Sequence, residues 1–122
     1  MCGLVGYWTP GGGEAEDAMR KTVSRMADVL RARGPDDEGT WVDTDSGMAL
    51  GHRRLAVIDV SSSGHQPMQS AGGRLVISYN GELYNADELR RDLEAAGSRF
   101  RGHSDTEILL EACATWGIET AV

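Results

Sequence analysis

Cys2 stands directly after the initiator methionine and ahead of Gly3-Leu4-Val5-Gly6. A methionine before a small residue is normally removed, which would leave a thiol and a free α-amine on the one residue Cys2. An α-amine titrates near neutrality, so part of it is unprotonated at working pH. A neutral amine beside a thiol is a nucleophile that carries its own general base. A cysteine placed near the N-terminus by chance would look the same, so the remaining polar residues must decide.

Four further segments combine residue types that do chemistry. Arg33-Gly34-Pro35-Asp36-Asp37-Glu38-Gly39 is a charged turn; Gly and Pro stop a helix and Asp favours turns, so alone it needs no function. Gly51-His52-Arg53-Arg54-Leu55-Ala56-Val57-Ile58-Asp59 sets two arginines beside an apolar strand. The planar fork of one of them can hold a carboxylate bidentately; equally, cationic residues deter pairing at an edge strand. Asn80-Gly81 after a strand is either a tight turn with positive φ or an oxyanion hole, with the Asn amide and a backbone N–H aimed at one oxygen. Gly102-His103-Ser104-Asp105-Thr106-Glu107 is either a capping box with acidic residues at the positive end of a helix dipole, or a place where Asp105 faces inward and holds an ammonium.

The elements that must position these groups are mixed. Leu4 to Trp8 is an apolar run expected as a first strand, followed by a loop at Thr9-Pro10-Gly11-Gly12-Gly13. Met19, Val23, Met26, Ala27 and Leu30 recur at helical spacing, which predicts a helix over residues 14–33 ending at Gly34-Pro35. Thr40-Trp41-Val42 and Met48-Ala49-Leu50 flank Asp45-Ser46-Gly47, a hairpin signal. Residues 55–60 read as extended, and Leu75 to Tyr79 as a strand. Asn85 with Glu88, and Ser104 with Glu107, predict the starts of two helices ending near Gly97 and Gly117. Cys113 shares an apolar helical pattern with Ile108, Leu109, Ala112 and Trp116, and is expected as a buried packing residue.

Bulk properties exclude several classes. A length of 122 residues suits one domain or most of one. Its net charge of −7 leaves no basic stripe for a phosphate backbone, so no nucleic acid is expected. No apolar run approaches a membrane span, and the N-terminus lacks the basic segment and apolar core of a signal peptide, so a cytoplasmic protein is expected. His52, His65 and His103 lack metal-ligand spacing, there is no P-loop and no G-x-S-x-G elbow, and two cysteines make no disulfide framework.

Taken together and in order, Met1-Cys2-Gly3-Leu4-Val5-Gly6, Arg33-Gly34-Pro35-Asp36, His52-Arg53-Arg54-Leu55-Ala56-Val57-Ile58-Asp59 with Gly64-His65-Gln66-Pro67-Met68, Tyr79-Asn80-Gly81-Glu82-Leu83-Tyr84-Asn85 and Ser104-Asp105-Thr106-Glu107 closely resemble the N-terminal glutaminase domain of asparagine synthetases, the class II glutamine amidotransferases. The resemblance covers essentially the whole chain. It implies an α+β fold, the N-terminal-nucleophile hydrolase αββα sandwich of two antiparallel sheets between helices. It also implies that the Cys2 thiol attacks the side-chain amide of glutamine while its α-amine moves the proton. Asn80 and Gly81 would stabilise the oxyanion. Arg54 would bind the α-carboxylate, and Asp105 with Glu82 and Gly81 the α-ammonium. The backbone of Leu55, Ala56, Val57 and Ile58 would line the pocket. Arg53 falls where the family varies and is expected at the surface.

The family's domain continues with further strands and then with an ATP-dependent synthetase domain. Residues 1–122 are therefore expected to be a partial amidotransferase domain, incomplete at its C-terminal side and weakly active alone. No cofactor is expected for this chain; ATP and Mg belong to the synthetase domain. The expected partners are glutamine and that synthetase domain, with a homodimer left open and the ammonia acceptor, aspartate or another acid, undetermined. Two alternatives remain: a truncated module that binds glutamine or a partner without turnover, and a hydrolase with an N-terminal Cys acting on other amides.

Overall fold

Burial alternates residue by residue along Gly3–Trp8, as in a strand with one covered face. The computed structural model describes residues 1–56 and 61–122. They form two compact units, the first made of Met1–Ala56, His65–Pro67 and Ser78–Asn80, the second of the other described residues.

In the first unit, β1 (Gly3–Trp8), β2 (Asp37–Asp43) and β3 (Met48–Arg54) form an antiparallel sheet in the order β1-β3-β2. Gly3 stands opposite Arg53 and Leu4 opposite His52, while Asp37 on the other side stands opposite Arg54. The expected hairpin joins β2 to β3. Asp43 accepts the Asp45 N–H at 3.1 Å, and Gly47 takes a φ of 72°, a conformation open to glycine.

Helix α1 (Glu16–Asp28) covers one face of this sheet: Met19 and Val23 pack with Ala49, Val5, Tyr7 and Val42. The helix ends earlier than the expected residue 33. Beyond Asp28 the bonds shorten to i→i−3, from Leu30 to Ala27, Arg31 to Asp28 and Arg33 to Leu30, so the chain tightens into turns. Leu30 still packs inward, against Gly3, which is why the apolar periodicity outlasts the helix.

Strand alternation carries β3 side chains to opposite faces. Gly51 lies against Val5, Val23 and Ala27 of the helix-covered face, so Arg53 shares that face while His52 and Arg54 lie on the other. This corrects the expectation for Arg53. It is buried, 5% exposed, and its guanidinium pairs with Glu38, whose side chain is exposed. The helix above the sheet leaves Arg53 no route to solvent except along its partner strand.

The second unit holds a two-stranded antiparallel sheet, β4 (Met68–Gln69) with β5 (Val76–Ile77), and three helices: α2 (Ala86–Ala95), α3 (Asp105–Trp116) and α4 (Ile118–Ala121). Its core is Leu93, Ile108 and Ala112, with Leu83, Leu89, Phe100 and Trp116 against them. The strand expected over Leu75–Tyr79 is shorter, because the Tyr79 N–H goes to the Gln66 side chain, at 2.6 Å, instead of a ladder partner. Asn85 does occupy the N-cap of α2, without a side-chain cap bond. Ser104 caps α3 through the Thr106 N–H at 3.2 Å. Glu107 reaches past the cap residue, taking the N–H groups of Arg101 at 2.8 Å and Gly102 at 3.0 Å. Cys113 is half-buried, and burial pushes its thiol pKa upward. The observed mixture of helix and antiparallel sheet is the expected α+β class. No described helix is long and apolar enough to cross a membrane.

Two predictions follow from buried polar groups. Glu107 is 1% exposed, so Glu107→Ala strands two backbone donors and should lower stability by about 2–3 kcal/mol in denaturant unfolding. The Arg101 guanidinium, which also bonds Glu107 at 3.1 Å, is 56% exposed, so replacing Arg101 with Ala should change stability by less than about 1 kcal/mol. Equal losses in the two variants would contradict this division.

His52, 1% exposed, has its pKa pushed down to about 4, first by burial and then by Arg54, against an upward pull from Asp37, with His65 adding the least, downward. An unfolded histidine protonates near pH 6.5. Between about pH 6.5 and 4 the unfolded chain therefore binds the proton first, so His52 stability is complete above this window and declines as pH falls through it. His52→Gln should flatten the pH dependence of the melting temperature across that range; an unchanged slope would show that His52 does not titrate in this way.

Candidate active site

Cys2 is the residue before β1, and three remote segments converge on it within the first unit. Its Sγ accepts the Leu55 N–H at 3.3 Å and lies 3.6 Å from the Leu55 carbonyl. Its carbonyl oxygen accepts from Arg33 Nε at 3.3 Å and from Asn80 Nδ2 at 3.1 Å. A primary amide has two N–H donors. The bond to Cys2 uses one of them and fixes the plane in which the other lies.

The Arg33–Asp36 turn, legible in the sequence as a helix stop, is here a brace for the end of β3. The Asp36 N–H donates to the Arg54 carbonyl at 3.0 Å, and the Asp36 carboxylate accepts the Ala56 N–H at 2.9 Å. Gly34 lies directly on the Arg53–Arg54 peptide, where a Cβ would fall 2.6 Å from the Arg54 nitrogen. Glycine is required there by close approach of two backbones, not by a turn conformation. Arg54 is 8% exposed and shares its sheet face with His52, while Leu55 and Ala56 are half-buried.

Residues 78–80 follow β5 and are tied to the same region one residue at a time. Ser78 Oγ lies 3.0 Å from His52 Nδ1. The Tyr79 N–H is held by Gln66. Asn80 is held by the carbonyl of Cys2. Nearby in the chain from Gln66, His65 Nδ1 lies 2.7 Å from the Asp37 carboxylate.

Gly81, Glu82 and Asp105 belong to the second unit. Gly81 and Glu82 are exposed. Asp105, at the first turn of α3, is 8% exposed and its Oδ2 accepts the Leu83 N–H at 3.0 Å. The Ser104 cap is present and Asp105 also faces inward, its carboxylate holding the loop that follows Asn80-Gly81. Cys2, Arg54, Leu55, Ala56 and Asn80 are thus gathered in the first unit, and Gly81, Glu82 and Asp105 in the second. Val57 and Ile58 lie outside the described residues.

Sequence reasoning missed Arg33, Asp36, His52, Gln66 and Ser78 as contributors. All of them fall in segments singled out for other reasons. Their targets are backbone groups or a neutral hydroxyl, and such pairings leave no signature in residue type or spacing.

Comparison with known proteins places the chain. Asparagine synthetase (glutamine-hydrolyzing) 3 of Bacillus subtilis is 42% identical over 118 residues, covering 95% of this chain and 18% of that protein. A putative asparagine synthetase (glutamine-hydrolyzing) of Mycobacterium tuberculosis is 37% identical over 131 residues, 98% of this chain and 20% of that protein. Amidase chry2 of Gibberella zeae is 32% identical over 126 residues, 97% of this chain and 18% of its own length. The chain thus spans about a fifth of the length of these relatives. The family model for the glutamine amidotransferase domain matches residues 1–122 from end to end, and the chain belongs to that family.

Proposed function

We propose that this chain hydrolyses glutamine to glutamate and ammonia at Cys2, on an N-terminal-nucleophile hydrolase scaffold. The observation that carries the proposal is the Asn80 amide bonded to the carbonyl of Cys2, beside a thiol seated on the Leu55 backbone. Once Met1 is removed, the Cys2 α-amine takes the thiol proton as sulfur attacks the side-chain carbonyl carbon of glutamine. The free N–H of Asn80 and the N–H of Gly81 stabilise the oxyanion. The carbon–nitrogen bond then breaks, the ammonium gives its proton to the leaving ammonia, and water hydrolyses the thioester to glutamate. Arg54 binds the α-carboxylate and Asp105, with Glu82, the α-ammonium; a zwitterion needs one fixed cation and one fixed anion. The pocket wall is the backbone of Leu55 and Ala56. In proteins of the asparagine synthetase kind, the ammonia passes to an ATP-dependent domain, where aspartate or another acid accepts it.

Two measurements test this. A glutamine-like diazo-ketone should label Cys2 and not Cys113 in the full gene product, and Cys2→Ser should abolish glutamate release; an adduct mapped to Cys113, or an active Cys2→Ser variant, overturns the assignment.

The two arginines should separate by kind of effect. Arg54→Ala removes one partner of a desolvated charge pair, which costs about 2–5 kcal/mol and should raise the glutamine KM at least tens-fold. Arg53→Ala, on the helix-covered face, should lower the melting temperature and leave KM within about twofold, since it loses packing and an ion pair with an exposed Glu38. The same KM change in both variants would place the carboxylate clamp elsewhere.

A further inference from the structure

Asn80 lies beyond the last residue of β5, so no ladder bond fixes it. An oxyanion donor works only if it is held where charge develops, and a displacement of about 1 Å can lower the rate about a hundredfold. Something other than the sheet must therefore hold the segment. Two buried side chains of the first unit do so. Gln66, 6% exposed, takes the Tyr79 N–H, and His52, 1% exposed, meets the Ser78 hydroxyl. His52 is anchored in the central strand β3, opposite Leu4, two residues from Cys2. Its other ring nitrogen, Nε2, is buried with no hydrogen-bond partner. A buried orphan is tolerated where the group serves a purpose that its burial alone does not explain. An apolar side chain would fill this place without leaving an orphan; the histidine keeps a hydrogen bond to the segment that carries Asn80.

We infer that His52 is a positioning residue, which sets Asn80 through the Ser78 hydroxyl with Gln66 as a second tether. The inference rests on the proposed role of Asn80 as oxyanion donor. It acts through the transition state, because glutamine itself needs no oxyanion donor, so the loss should fall on kcat and not on KM. The contact is made by Nδ1. The amide of an asparagine at this position stands near the place of Nδ1, whereas that of a glutamine stands near the place of Nε2. The two substitutions therefore distinguish the hydrogen bond from simple filling of the core.

The test is steady-state glutaminase kinetics of the full gene product. His52→Gln and Ser78→Ala should each lower kcat about tenfold, with the glutamine KM within about twofold. His52→Asn should keep most of the wild-type kcat. The double variant His52→Gln with Ser78→Ala should be no worse than the poorer single one, since both break one bond. Asn80→Ala is the control for the underlying reading and should lower kcat about a hundredfold or more. If Asn80→Ala leaves kcat unchanged, the oxyanion role itself fails and the positioning role with it. If Asn80→Ala behaves as expected but His52→Asn is as poor as His52→Gln, or the losses of His52→Gln and Ser78→Ala multiply, His52 is only a core residue and the inference is overturned. Should the His52 variants not fold, Ser78→Ala decides alone: an unchanged kcat overturns the inference, and a loss confined to kcat supports it.

Discussion

Antiparallel pairing of β3 with strands on both sides is the constraint from which the placement of Cys2, Arg54 and Leu55 follows. A central strand is held by backbone bonds along both edges, so its register is rigid and its side chains alternate without freedom to slip. Ala49, Gly51 and Arg53 go to the helix-covered face, and His52 and Arg54 to the other. The same pairing sets Gly3 opposite Arg53, so Cys2 emerges beside the end of the strand, where Arg54 leads into Leu55. A shift of one residue in β3 would exchange the two arginines between the two faces of the sheet.

What surrounds Cys2 is mostly backbone chemistry. Its carbonyl collects Arg33 and Asn80, its sulfur rests on the Leu55 peptide, and Asp36 secures the next peptide at Ala56. Such contacts hold both the carbonyl and the sulfur of Cys2 in place. They also explain why the turn after α1 combines Arg, Gly, Pro and Asp. Gly34 admits the close approach, and the flanking Arg33 and Asp36 then reach the two strands on either side.

The second unit solves a similar problem with acids instead of glycine. Asp105 and Glu107 project from the first turn of α3 and Glu111 from the next, and each carboxylate takes backbone N–H groups from a loop: Leu83, Arg101 with Gly102, and Ala71. Buried carboxylates are expensive unless such donors satisfy them. Here the donors come from segments with little regular structure of their own. The helix is thus a spine to which loops are pinned, including the one that begins at Gly81.

By itself, the sequence determined the family. A cysteine behind the initiator methionine, an arginine pair after a strand, Asn-Gly at a strand end and an acidic helix start are local patterns, and local patterns are what residue order encodes. It determined the hairpin, the Ser104 cap and the α+β class for the same reason, since period and capping act within a few residues. Tertiary structure alone decided which arginine is buried under a helix, because covering of a sheet face depends on residues some 30 positions away. It decided that α1 unwinds at Asp28, where packing of Leu30 on Gly3 outlasts the helix, and that β5 stops short so that Gln66 can take the Tyr79 N–H. It also gave Arg33, Asp36, His52 and Ser78 their places. Their partners are peptide groups and a hydroxyl that every sequence offers in abundance, so only proximity in the folded chain selects among them.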